Sequence, residues 1–303
     1  MLHLCAPVSN VLKAHISLFA AQVIYALNYS IAKDLMPGYI GPFALVLLRI
    51  GGAGILFWVL SLFFRKEALE KNDLKKMALL ALFGVFINQV FFIWGLSLTK
   101  PINSAIIMIS NPIMVIVFTL IILKERITVL KISGLLLGII GAVTLLLFKG
   151  NFEFGSETMT GDLMTLINAS SWAVFVVMAK PYMQKYQTVT VMKWIFFFGF
   201  FYMLPFGFSD LIKTEFINWS GKVYLGIAFV VVATTFLAYL LNTYALKDLS
   251  PSVVSMYIYL QPFLATLFAV FLGKDTLTPT KILSAVFIIV GVYLVSVKPK
   301  TKV

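Results

Sequence analysis

Residues 96–146, LSLTKPINSAIIMISNPIMVIVFTLIILKERITVLKISGLLLGIIGAVTLL, align without a gap on residues 246–296, LKDLSPSVVSMYIYLQPFLATLFAVFLGKDTLTPTKILSAVFIIVGVYLVS, when the chain is slid against itself by 150 residues. Ten positions are identical: Leu96 with Leu246, Pro101 with Pro251, Pro112 with Pro262, Phe118 with Phe268, Lys124 with Lys274, Thr128 with Thr278, Lys131 with Lys281, Ile132 with Ile282, Ile139 with Ile289 and Gly141 with Gly291. Apolar coincidences are cheap in a chain that is 61% hydrophobic, but matched Pro, Lys, Thr and Gly are not. The acidic residues Glu125 and Asp275 also coincide. A weaker match at an offset of 147 sets Tyr25-Ala26 against Trp172-Ala173 and Ala32-Lys33 against Ala179-Lys180. The chain is therefore an internal duplication, which governs how the rest of it is read.

Outward from that stretch, apolar runs long enough to cross a bilayer as helix, which takes about 20 residues, recur along the chain. They fall near residues 13–33, 42–64, 76–98, 101–123, 129–148, 161–182, 190–212, 221–246, 251–272 and 279–297. The first is long and followed by nine more, so it reads as an uncleaved helix rather than a signal peptide. In hydrocarbon the backbone must satisfy its own hydrogen bonds, and the runs lack the alternation of barrel strands, so the fold class is all-α. The expected architecture is a ten-helix integral membrane bundle made of two five-helix repeats, residues 1–148 and 161–303, joined by a loop at 149–160.

Because five is odd, the second repeat enters the membrane from the opposite side, and the two repeats have inverted topology. Two near-equivalent inverted halves can exchange conformations around a central site. With the amino terminus inside the cell, sixteen of the 24 Lys and Arg lie on the inner side, seven on the outer, and Arg49 within a helix. Arg65, Lys66, Lys71, Lys75 and Lys76 after the second helix, and Lys298, Lys300 and Lys302 in the tail, carry most of the bias. Positive loops stay inside, so both termini are expected in the cytoplasm and the protein in the inner (plasma) membrane.

The repeats resemble two copies of the ten-helix EamA type of the drug/metabolite transporter superfamily. The residues that carry the resemblance are Tyr25-Ala26-Leu27-Asn28-Tyr29 leading to Lys33, then Pro42 to Arg49, and Pro101 through Pro112 and Lys124-Glu125-Arg126-Ile127-Thr128 to Gly141. In the second half they are Trp172-Ala173 with Lys180, Pro251 through Pro262, Gly273-Lys274-Asp275-Thr276-Leu277-Thr278, and Gly291. This sequence departs from the family pattern with Tyr25 in place of the usual Trp, Lys124 in place of Gly, and Asp275 in place of Glu. The resemblance implies secondary transport, in the export direction, of a small organic metabolite such as an amino acid or a drug-like solute. The expected partners are that solute and the lipid bilayer, with a monomer sufficient and no cofactor. The runner-up is a lipid-linked or nucleotide-linked sugar translocator of the same fold, and behind it a channel or membrane scaffold.

Pro112 and Pro262 fall about midway along equivalent helices, where each removes a backbone donor and frees the carbonyls of Met108 and Ile258. Irregular helix at matching midplane positions points to a site. Asn111 and Gln261 precede these prolines and are expected to line the cavity, the competing reading being that they only satisfy the freed carbonyls or hydrogen-bond neighbouring helices. The further candidates are Tyr25, Asn28, Gln89, Trp172, Tyr239 and Tyr257. Tyr257 shares a helical face with Gln261, and consecutive Asn88 and Gln89 should diverge so that only one faces a cavity. Arg49, eight residues into its helix, has two readings, an anchor for an anionic group or a structural clamp on helix-end carbonyls, and the clamp is expected. Lys33, Lys180 and Lys193 sit near helix ends, from where they can snorkel to the interface.

Other chemistries find little support. Lys and Arg fall between apolar runs rather than on one basic face, so nucleic acid is not an expected partner. Cys5 is a single cysteine, and His3 and His15 have no metal-ligand spacing around them. No HExxH, GxSxG or GxxxxGK[ST] motif is present, so the chain does not read as an enzyme or an ATP-driven pump.

Overall fold

The computed structural model describes residues 9–36, 38–124, 127–147, 157–271 and 278–296. Among them are ten helices long and apolar enough to cross a membrane: α1 (Asn10–Leu35), α2 (Pro42–Ser61), α3 (Lys71–Leu98), α4 (Pro101–Leu123), α5 (Val129–Leu147), α6 (Met159–Lys185), α7 (Thr188–Ile212), α8 (Gly221–Ala245), α9 (Pro251–Phe268) and α10 (Pro279–Ser296). The largest departure from the expected spans is at α3, which starts at Lys71 because Asp73 in its first turn is held by α6. The expected equivalents Glu125 and Asp275 lie outside the described residues, as do Arg126, the stretch from Gly273 to Leu277, most of the 149–160 loop, His3, Cys5 and the lysines at 298, 300 and 302.

Matched prolines begin matched helices. Pro101 and Pro251 occupy the first turns of α4 and α9, where a missing N–H costs nothing. Farther in, Pro112 and Pro262 cannot donate, and both helices tighten just upstream. In α4 the N–H groups of Ile109 and Ser110 turn to the carbonyls of Ile106 and Ile107, three residues back, and in α9 Tyr257–Tyr259 is 3₁₀. Wider π-helical turns also recur by repeat, at Leu82–Ile87 in α3 and Phe229–Leu237 in α8. Lys124 ends α4 in the left-handed region, φ 53°, the conformation that favours the Gly the family pattern carries there.

The packing is crossed between the halves. The main contacts join α5 to α10, α2 to α7, α3 to α6 and α1 to α8, with α6 also against α4 and α1 against α9. Exchanging the halves maps this set onto itself, so the first helix of each repeat packs into the other. The matched glycines explain the closest crossing. A Cβ at Gly134 would lie 2.6 Å from the Gly291 carbonyl oxygen, and one at Gly141 would lie 2.6 Å from that of Ser284. These contacts are one contact seen twice, since 134 and 141 correspond to 284 and 291. Small residues let α5 and α10 approach where no hydrophobic effect drives helices together.

A second duplicated device corrects an expectation. Lys33 does not snorkel: its Nζ donates to the carbonyls of Leu96, Ser97 and Thr99 at 2.8, 3.0 and 3.0 Å, capping α3. Lys180 donates to Leu246, Lys247 and Leu249 at 2.6, 3.2 and 2.9 Å, capping α8. Both lysines and all three carbonyls correspond under the repeat. A cation at the negative end of a helix dipole satisfies carbonyls that have no intrahelical partner. Lys193 instead lies 5.0 Å from the centre of the Trp58 ring. Large apolar side chains such as Ile55, Ile121 and Leu136 are 66%, 65% and 54% exposed on the outside of the bundle, as a lipid-facing surface requires.

Candidate functional site

Polar side chains that α1, α2, α3, α6, α8 and α9 bring together surround a cavity at the centre of the bundle. The space open to the centre of a water molecule is about 80 Å³, enough for a handful of waters or one small organic solute. Four repeat-related pairs line it: Tyr25 with Trp172, Gln89 with Tyr239, Phe92 with Asn242, and Met108 with Ile258. The cavity therefore straddles the relation between the halves. Gln22, Asn28 and Tyr29 add to the α1 side, Arg49 comes from α2, Asn88 from α3, Asn168 from α6, Thr234 from α8 and Gln261 from α9.

Tyr239 is the hub of its wall. Its hydroxyl is 2.7 Å from Asn88 Oδ1 and 3.0 Å from the Gly84 carbonyl oxygen, within the π segment of α3. Its one proton serves either acceptor, tying α8 to α3 across the repeats. The Trp172 and Phe196 rings meet Tyr239 edge-on, each at 5.4 Å between centroids. Asn168 Nδ2 donates to the Asn88 carbonyl at 2.7 Å. Several lining atoms are buried without a hydrogen bond: Asn28 Oδ1, both ends of the Gln89 amide, Asn168 Oδ1, Thr234 Oγ1 and Arg49 Nη1.

The expected residues divide. Tyr25, Asn28, Arg49, Gln89, Trp172, Tyr239 and Gln261 line the cavity; Asn111, Pro112, Tyr257 and Pro262 are not part of its wall. Asn111 is fully buried and donates from Nδ2 to the Ala169 carbonyl at 2.6 Å, and Gln261 Nε2 donates to Gln22 Oε1 at 2.7 Å. The two contacts are equivalent, because 22 corresponds to 169. They differ in outcome because Ala169 carries only a methyl group, which leaves its carbonyl open to Asn111, whereas the long amide of Gln22 keeps Gln261 at the cavity. Tyr257 turns away to hydrogen-bond His15 Nδ1 at 2.7 Å. The 3₁₀ turn it begins has three residues per turn instead of 3.6, so it no longer shares a face with Gln261. Met108 and Ile258, whose carbonyls the matched prolines were expected to free, do line the cavity.

Two other expectations change. Asn88 and Gln89 both line the cavity, directly after the π segment of α3. Arg49 clamps no helix end: its Nε donates to Thr235 Oγ1 at 2.9 Å, and that hydroxyl donates to the Val230 carbonyl at 2.7 Å inside the π segment of α8. The helix-end clamps are Lys33 and Lys180. The contribution of Thr234 and Thr235 was missed, although the adjacent pair in the apolar run Phe229–Leu237 is a legible polar signal.

Ten membrane-spanning helices in an inverted repeat around a polar central cavity define a multi-pass membrane protein built like a carrier. The chain belongs to the EamA-like transporter family, whose model matches residues 12–147 and 159–297. An uncharacterized transporter of Archaeoglobus fulgidus is 25% identical over 292 residues, covering 94% of this chain and 98% of its own. The uncharacterized transporter YyaM of Bacillus subtilis is 26% identical over 296 residues, covering 94% of each chain. A WAT1-related protein of Arabidopsis thaliana is 26% identical, covering 89% of this chain and 75% of its own. One solved crystal structure is similar in fold with a TM-score of 0.72 at 19% identity, covering 93% of this chain and 96% of that one.

Proposed function

We propose that this chain is a secondary transporter that exports a small organic solute across the inner (plasma) membrane by alternating access, with both termini in the cytoplasm. One observation carries the reading: the two repeat-related helix segments that lead to the cavity are buried to different extents. On the side where α1 begins, residues 251–261 of α9 are buried throughout. Their counterparts in α4, at the opposite side, include Pro101, Ala105, Ile106, Ile107, Met108 and Ser110, all partly exposed.

The loops agree. On the α1-start side Lys185 pairs with Glu70 and Asp73, each at 2.7 Å, and the Tyr186 hydroxyl donates to Asp73 at 2.7 Å, latching α6 to α3. At the opposite side the counterparts of Tyr186, Glu70 and Asp73 are Tyr39, Ser220 and Val223. Those three border a groove between α1 and α8 instead. Loop charge makes the latched side cytoplasmic, so this arrangement is outward-facing. Interchanging the two half-arrangements would give the inward-facing one. The cavity volume and its central position favour a small solute over a lipid-linked or nucleotide-linked sugar.

Reconstituted protein tests the reading. A carrier gives saturable flux and accelerates uptake of labelled solute when the vesicle is preloaded with the unlabelled form. Non-saturating flux without such counterflow would make it a channel, and no flux for any of a panel of amino acids, nucleosides, sugars and drug-like solutes would leave a scaffold.

A further inference from the structure

We infer that the central cavity selects a small organic monocarboxylate, its carboxylate seated on Arg49 and a neighbouring N–H or O–H donor received by Asn28 Oδ1 and the Gln89 amide. This deepens the transport reading and rests on it.

Arg49 is 3% exposed, and its Nη1 has no hydrogen-bond partner. No Asp or Glu lines the cavity. A guanidinium is always charged and carries five N–H donors, and the one to Thr235 accounts for a single donor. A desolvated cation without a counterion is costly, and fixed donors left unpaired in the wall of a cavity fit a group that arrives with the opposite charge. The planar fork of the guanidinium matches a carboxylate, and one uncompensated positive charge matches a monoanion rather than a dianion.

The rest of the wall describes the remainder of the molecule. Asn28 Oδ1 is an acceptor without a donor, and Gln89, 1% exposed, has neither end of its amide hydrogen-bonded. A neutral group beside the carboxylate that can donate, as in an α-hydroxy acid, satisfies them. The rings of Tyr25, Tyr29, Phe92 and Trp172 leave an apolar region for a compact hydrocarbon or aromatic body.

The test compares acids with neutral isosteres on the purified wild-type protein, so it does not depend on a variant folding. Probes are 2-hydroxy-4-methylpentanoate and 3-phenyllactate, against 2-hydroxy-4-methylpentanamide and 3-phenyllactamide, read as ligand-induced thermal stabilisation in detergent. At least one acid should stabilise the protein with an apparent affinity tenfold or more above its amide. Arg49→Lys, which keeps a charge but loses the fork, should shrink that preference at least tenfold, while Arg49→Gln should abolish it. Equal affinity for acid and amide, or no stabilisation by any of the acids, overturns the inference. Counterflow in proteoliposomes separates the two readings: exchange of a neutral solute in preference to every acid retains the transporter and discards the carboxylate, whereas exchange of nothing discards both.

Discussion

Replacing Lys33 or Lys180 by Met keeps the aliphatic stem and removes the ammonium, so it isolates the duplicated helix cap. Each ammonium holds three carbonyls at 2.6–3.2 Å. A hydrogen bond to a charged group contributes roughly 1.5–3 kcal/mol, and a cation at a helix end adds about 0.3–1 kcal/mol. Both lysines are only half-buried and water can replace part of what is lost, so the expected cost is about 2 kcal/mol per clamp. At roughly 2–4 °C per kcal/mol for a chain of this size, the melting midpoint in detergent should fall by about 4–8 °C for either variant. The clamps sit at opposite ends of the bundle with no shared partner, so the double variant should lose about the sum. The assay is thermal denaturation followed by fluorescence-detected size exclusion. A variant that melts with the wild type, or a double variant no worse than the singles, would refute the reasoning that the repeats are pinned by equivalent cation caps.

Four further variants test the cavity wall and the packing. Gln261→Leu should weaken binding of the transported solute by about five- to 150-fold, the equivalent of roughly 1–3 kcal/mol for one unsatisfied polar group, at near-normal abundance in titrations of purified protein. Asn111→Leu, off the cavity, should lower the melting temperature while sparing affinity; the lipid-facing control Ile121→Leu should change neither. Gly134→Val places a side chain against the Gly291 carbonyl at the α5–α10 crossing and should abolish well-folded protein in size exclusion, since backbone cannot yield there as a flexible side chain can. Lys124→Gly relieves a left-handed residue and should raise the melting temperature, with a gain of up to about 1 kcal/mol after the extra chain entropy of Gly is set against the relief.

What was legible in the sequence was periodic or duplicated. Pro101 with Pro251 begins helices, Gly141 with Gly291 marks the crossing, and the offset of 147 between Lys33 and Lys180 held the two caps, although their chemistry was misread as snorkelling. Helix phase was less legible. Tyr257 and Asn88 were placed by counting 3.6 residues per turn, and the helix departs from that count near each, as 3₁₀ at Tyr257–Tyr259 and as π turns at Leu82–Ile87. Asn111 and Gln261 hold equivalent places, and what separates them is the residue each meets on another helix, Ala169 or Gln22. That pairing exists only once the halves have interlocked. Arg49 was assigned to helix-end carbonyls; its neighbour Thr235 is 186 positions away, and the polar Thr234-Thr235 pair, although visible in the apolar run, does not say which helix it will meet.

The central claim is that one cavity opens alternately to the two sides of the membrane, and paired cysteine accessibility tests it most directly. With the native Cys5 replaced by Ser, Met108→Cys and Ile258→Cys place single thiols at repeat-equivalent positions of the cavity wall, one toward each entrance. Membrane-impermeant maleimide should reach the first from outside the cell and the second from the cytoplasmic face. Lys185→Gln then breaks the latch that Lys185 forms with Glu70 and Asp73, which shifts the state ratio toward opening of that side. The account predicts opposite changes in the two labelling rates, faster at Ile258→Cys and slower at Met108→Cys. Rates that rise together, as in a continuous pore, or thiols that react from neither side, would contradict it.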